Sequence, residues 1–338
     1  MLPMFRTSVS YRSFLLVAFL AVAIVPGFHT LLAQTCDSGA DLNAGTKAAI
    51  DAAAKQYLDM SKNGDVAGLK ANAIPAITGD FSAIEQAVVT NKQYLAGGNS
   101  TITGTYLLDA SGAKAPLPRA DFYCGIYNSP DRLSFSIPNL PPGTYAVAIQ
   151  KVNGKDPITL SLILQQVGGA WKLAGYYPRL DAIGGHDGEW YLNQARAYKA
   201  KGQSLDAWFY YLTAWDLTAP VNFMSTPQLD KMAQEMQGSR PANLPSQSAP
   251  MTVSANGKSF QVTEITAVPV DNSLDLRIRY VNPNASDSGV AFQDNMAVIR
   301  AIVAKYPEVR GAFESVIARA VDSSGHEYGS LLQVKDIK

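Results

Sequence analysis

The chain has 338 residues, 47% of them hydrophobic and 17% charged, with 28 basic and 28 acidic side chains. Such a composition excludes wholesale disorder, and the length exceeds what one core ordinarily fills, so two or three units are expected. The even charge balance provides no basic stripe of the kind that nucleic acid or an anionic membrane recognises, and neither is expected as a partner.

Arg6 and Arg12 precede an apolar run from Phe14 to Val25, which Pro26 and Gly27 break ahead of Leu31, Leu32 and Ala33. That order predicts a removable secretory signal over residues 1–33, because the run is shorter than the roughly 20 residues that span a bilayer. The segment holds two of the 28 basic residues and none of the acidic ones, which leaves a net charge of −2 after removal. An exported protein, periplasmic or secreted and not membrane-bound, is the expectation. Thr35 precedes Cys36 where a lipidated cysteine would need a small residue, so lipidation is not expected. Cys36 and Cys124 are the only cysteines, and an oxidising compartment predicts a disulfide between them. The competing reading makes Cys124, beside Phe122, Tyr123 and Ile126, a small buried apolar residue.

The first unit is expected over residues 34–180. Ile50, Ala53, Ala54, Tyr57 and Leu58 recur on one helical face, with Thr46 as the cap and Asn63-Gly64 as the stop. A shorter helix runs to Pro75, and a third is capped by Asp80 and carries Ile84, Val88 and Tyr94. The period then changes to two, predicting strands at 101–108, 121–128, 132–137, 144–152, 158–167 and 171–177. Ser111-Gly112, Pro141-Pro142-Gly143 and Gly168-Gly169 mark turns between them.

Helices followed by antiparallel strands that end in Trp171-Lys172-Leu173-Ala174-Gly175-Tyr176-Tyr177 resemble the cone fold of steroid isomerases and nuclear transport factors. Ile102-Thr103-Gly104-Thr105, Asp109-Ala110-Ser111-Gly112 and Leu140-Pro141-Pro142-Gly143-Thr144-Tyr145 resemble instead a carboxypeptidase-regulatory-like β-sandwich over residues 101–152. The sandwich implies that the helices lie outside the domain.

Residues 181–239 are expected to hold a helical hairpin and a capping helix. Tyr191, Leu192, Tyr198, Gly202, Ala207, Tyr211, Ala214 and Pro220 resemble one tetratricopeptide repeat over residues 187–220. A lone repeat cannot bury both faces, so the hairpin is expected to dock on the first unit, with Thr226 and Pro227 opening a helix that shields its other side. Three prolines within residues 240–250 read as a linker. Residues 251–338 follow as a small α+β unit. Its strands run over 251–281 around Asn256-Gly257 and Asp271-Asn272-Ser273, and a helix over 292–304 buries Met296, Ile299, Ile302 and Val303. The last hairpin pairs Val316–Val321 with Tyr328–Val334. The fold class is therefore α+β: a helical and antiparallel-sheet domain, a docked helical-repeat hairpin, and a small C-terminal α+β domain.

Signals of chemistry are sparse. Only His186 and His326 remain beyond the signal segment. His186 with Asp187 and Glu189 falls short of the three or four ligands of a zinc site, and the two acids are better read as complements to a helix N-terminus. No metal or cofactor is expected. The cone resemblance implies a carboxylate base and a hydrogen-bond donor in an apolar pocket, for which Asp121 with Tyr106 or Tyr145 is the candidate set.

The aromatic residues are the other signal. Trp208, Tyr211, Leu212 and Trp215 form a stripe at helical period and are expected in the core. Trp190, Phe209 and Tyr210 lie off that stripe and are the candidates for contact with a partner, with burial against a neighbouring unit as the competing reading. Non-catalytic binding or scaffolding, through a protein or a small apolar ligand, is the function expected. A cone-fold enzyme acting on a small apolar substrate and a structural cell-envelope component are the alternatives.

Overall fold

The computed structural model describes residues 34–125 and 129–337. The expected signal segment, and the last three residues of the strand expected at 121–128, lie outside the described residues.

Strand β1 (Thr35–Ser38) leads into helix α1 (Ala44–Asn63), followed by α2 (Val66–Ala71), α3 (Pro75–Thr78) and α4 (Ser82–Ala96). The cap of α1 is Asn43 rather than Thr46: its Oδ1 accepts from the backbone N of Gly45 at 2.9 Å and of Thr46 at 3.2 Å. Gly64 ends the helix in the left-handed region at φ 70°, the conformation that favours glycine. Asp80 stands one residue outside the cap of α4, where its Oδ1 accepts from the Ser82 hydroxyl at 2.6 Å.

All six expected strands form: β2 (Asn99–Asp109), β3 (Leu117–Cys124), β4 (Leu133–Leu140), β5 (Thr144–Asn153), β6 (Ile158–Val167) and β7 (Ala170–Leu180). They divide between two sheets. One is antiparallel in the order β1-β2-β5-β6-β7; the other joins β3 and β4 to β10 (Met224–Ser225). Because side chains alternate along a strand, β5 feeds two cores. Ala146 and Ala148 pack against Ile50, Ala54, Tyr57, Leu58 and Val88 of the helices, while Tyr145, Val147 and Ile149 face Phe122 and Phe135 of the smaller sheet. The helices thus share a core with the sheet. The disulfide Cys36–Cys124 joins β1 to β3 across the two sheets.

After the two-residue strands β8 (Ala182–Ile183) and β9 (His186–Asp187), α5 (Gly188–Ala200) and α6 (Ser204–Thr218) form the expected hairpin, turned at Gly202 with φ 74°. Asp187 caps α5 by accepting from Trp190 N at 2.9 Å. Thr226 caps α7 (Pro227–Met236) by accepting from Leu229 N at 3.2 Å, with Pro227 in the first turn.

The hairpin's docking partner differs from the expectation. Tyr191, Tyr198, Phe209 and Tyr210 belong to one apolar cluster with Ile278, Val298, Ile302 and Phe313 of the C-terminal unit. Residues 240–250 therefore turn the chain within a shared core instead of linking separate ones. Contacts with the first unit combine ion pairs, strand pairing and an apolar anchor: Arg179 Nη1 lies 2.7 Å from Asp216 Oδ1, Arg132 Nη2 lies 2.6 Å from Asp230 Oδ2, β10 pairs with β4, and Val221 and Phe223, beyond the hairpin, join the cluster of Phe122 and Phe135.

The crossing of α5 and α6 depends on Gly188. A Cβ there would stand 2.3 Å from Thr218 Oγ1 and 3.0 Å from the Ala214 carbonyl oxygen. Gly188→Ala is accordingly expected to destabilise by about 1–3 kcal/mol through overpacking. Urea denaturation checks this, and an unchanged midpoint would mean that the crossing adapts freely.

In the C-terminal unit β11 (Met251–Ala255), β12 (Lys258–Val270) and β13 (Ser273–Val281) form a meander, and α8 (Ser288–Lys305) crosses over to β14 (Ser315–Val321), parallel to β13, before β15 (Glu327–Gln333). Asn256-Gly257 and Asp271-Asn272 take positive φ at both central positions, the geometry that suits the twist of a two-residue hairpin. Asp287 caps α8, so that helix starts before the expected residue 292. Met296, Ile299, Ile302 and Val303 are all buried, as their period requires. No helix among the described residues is long and apolar enough to cross a membrane.

Candidate functional site

The first unit, the hairpin and the C-terminal unit meet at one cleft of about 300 Å³. Tyr177, Pro178 and Leu180 of β7 form one wall, Leu217 of α6 a second, and Ala267, Pro269 and Leu274 of β12 and β13 a third. Three polar side chains join them: Arg179, Thr213 and Asp216. The arrangement has the general character of a small-molecule site, a largely apolar concavity between units with a few polar groups.

Arg179 is held in place. Its Nη1 donates to Asp216 Oδ1 at 2.7 Å and to the Asp216 carbonyl at 3.3 Å, and its Nη2 donates to Asn222 Oδ1. The guanidinium comes from the first unit and both acceptors from the hairpin region, so one side chain ties the two walls together. Thr213 donates its hydroxyl to Phe209 O at 2.9 Å within α6. Tyr177 stands against Phe223, ring centroids 5.6 Å apart and nearly perpendicular, and burial raises its hydroxyl pKa. Just past β8, Gly184 N donates to Asn272 Oδ1 at 3.0 Å, which ties the β12–β13 turn to the segment between β8 and β9.

Arg179 and Leu217 also line a second cleft, of about 380 Å³, whose other walls include Lys151, Thr159, Asp181 and Glu189. There Asp181 accepts from the Thr159 hydroxyl at 2.6 Å and lies 3.4 Å from Lys151 Nζ. An apolar chamber and a charged one therefore flank the same arginine. A third cleft, of about 350 Å³, opens beside the cystine between Lys47, Thr103, Tyr106 and Asp131.

The catalytic set considered from sequence is not assembled. Phe122 and Phe135 oppose each other across β3 and β4 and point into the core, so Asp121 and Ser136, also opposed, point the other way. The Ser136 hydroxyl at 2.5 Å and Arg119 Nε at 2.8 Å hold the Asp121 carboxyl below its usual range, which weakens it as a base. Tyr145 donates to Pro141 O at 2.9 Å and accepts from Gln165 at 3.2 Å. Tyr106 packs edge-on against Phe135 at 5.2 Å. Both tyrosines belong to the five-stranded sheet, on β2 and β5, and pack with the inward-facing Phe122 and Phe135 of the smaller sheet, on the side away from Asp121.

The aromatic candidates also sit differently from the expectation. Phe209 and Tyr210 are 2% and 5% exposed, which removes them from any free partner surface. Their rings stand 6.4 Å and 6.1 Å from that of Phe313, and Tyr210 donates to the Ala312 carbonyl. Trp190 is half-buried, with the exposed His186 ring stacked on it at 3.8 Å. Of the stripe expected in the core, Tyr211 is fully buried, whereas Trp208, Leu212 and Trp215 are only partly covered. The physical reason is the position of α6, enclosed by α5, α7 and the C-terminal unit: a helix covered on most sides has no single apolar stripe. Among the described residues no three His, Cys, Asp or Glu side chains are placed to share a metal ion.

Sequence reasoning missed Arg179, Leu217, Ala267 and Leu274 as site residues. No local pattern marks them, since they meet only after three units converge. Comparison with known protein families, curated proteins and solved structures finds no match for this chain.

Proposed function

We propose that this chain is an exported, non-catalytic binding protein that captures a small, mainly apolar ligand in the cleft between β7, α6 and the β12–β13 hairpin. The observation that carries this reading is the cleft itself, with Leu180, Leu217, Ala267 and Leu274 facing one another across the meeting point of three units. Arg179, fixed at its rim by Asp216 and Asn222, supplies a directional polar contact for one end of a ligand. Export is supported by the cystine, which belongs to an oxidising compartment, and by the order of charged, apolar and cleavable residues in 1–33.

Ala267→Trp places an indole inside the cleft. Titration with 1-anilinonaphthalene-8-sulfonate is expected to show one saturable site in the wild type, weakened at least about ten-fold in the variant, a loss of roughly 1.4 kcal/mol. The melting temperature should stay close to that of the wild type. Equal binding by both proteins would defeat the assignment.

A further inference from the structure

Asp206 lies in the first turn of α6 and is 0% exposed. Neither of its carboxylate oxygens meets a hydrogen-bond partner among the described residues. The titratable groups that act on it or feel its charge come from three elements: Tyr198 from α5, Tyr210 from α6, and Glu308 from the 3-10 turn Pro307–Gly311. The two tyrosines are also the clasps of this junction. Tyr198 donates to the Gly311 carbonyl at 2.9 Å, and Tyr210 donates to the carbonyl of Ala312. A carboxylate in that position has a like charge beside it and no donor to offset its desolvation, an expensive arrangement for the ionised form and a far cheaper one for the neutral acid.

We propose that Asp206 makes the junction between the helical hairpin and the C-terminal unit a pH-sensitive joint, shut while the carboxyl holds its proton and loosened as that proton leaves. Burial first, and Glu308 second, push its pKa from 3.8 up to about 7. Opening the junction to water returns the group to the ordinary carboxyl range, about 3.9. The closed state has the higher pKa, so its advantage is complete below about pH 4 and is lost progressively as the pH rises to about 7. Above that, both states are ionised and the dependence levels off. Inside the window the opening constant climbs by nearly ten-fold per pH unit.

Asp275 on β13 is a second buried acid with a raised pKa, caused mainly by burial. A global unfolding curve would mix the two, so the test reads the junction alone. Hydrogen exchange of segments 196–213 and 307–313 in the whole protein, corrected for intrinsic rates, is compared at pH 5 and pH 7. The wild type should open roughly 50-fold more at pH 7. Asp206→Asn and Asp206→Leu, which cannot ionise, should show no such change, and Glu308→Gln, which keeps Asp206, should move the upper end of the window to lower pH. Equal wild-type protection at both pH values, a pH dependence that survives in the Asp206 variants, or an upper end unmoved by Glu308→Gln overturns the proposal.

Discussion

Phe209→Ala is expected to cost about 3–5 kcal/mol of folding stability, the usual range for deleting a buried aromatic ring. Phe209 is 2% exposed and belongs to the cluster that spans the hairpin and the C-terminal unit, with Phe313 across the contact. A cavity at that point touches both elements, so neither can relax into it alone. Denaturant unfolding followed by tryptophan fluorescence measures the loss. Trp208→Ala provides the control, because Trp208 is only partly covered and has Arg240 over its ring at 5.9 Å. The Trp208 variant should lose clearly less. A larger loss for Trp208 than for Phe209 would reverse the orientation assigned to α6.

Replacing both cysteines by alanine should remove about 4–5 kcal/mol. Cys36 and Cys124 are 88 positions apart, and closing a loop of that length restricts the unfolded chain by about this much on the chain-entropy account. The native side adds a reason for the bond. β1 is four residues long, pairs with the edge of β2, and carries Gln34 just ahead of it, whose side chain accepts from Asp121 N at 2.6 Å. Without the cystine, so short an edge strand has little to hold it against the ordering entropy of its residues. Equilibrium unfolding of the oxidised wild type and the double variant tests this. A difference below about 1 kcal/mol would mean that the unfolded chain is already compact around these positions.

Much of the fold was legible locally. Asn256-Gly257 and Asp271-Asn272 specify hairpin turns because few other residues take positive φ without cost. Thr226-Pro227 and Gly202 mark the ends of helices for similar stereochemical reasons. The period-two strands and the pairing of two cysteines follow from alternation and from counting. Each of these signals depends on residues near one another in the chain, or on residues with no alternative partner.

Other features depend on which surfaces meet, and there the local pattern misleads. The stripe through Trp208 and Trp215 has the right period for a core face, yet α6 turns Phe209 and Tyr210 inward as well, because the C-terminal unit covers the side that local periodicity assigns to solvent. The same convergence creates the cleft around Leu217 and leaves Asp206 without a donor among the described residues. Sequence by itself determined the longer helices and strands, most of their turns and the cystine, since those follow from backbone stereochemistry and side-chain period, whereas the short strands β1, β8, β9 and β10 and the helix that opens at Pro75 carry no such period. Tertiary structure alone decided the partner of the hairpin and the site, since burial is set by the whole assembly and apolar contact carries no directional mark in the chain.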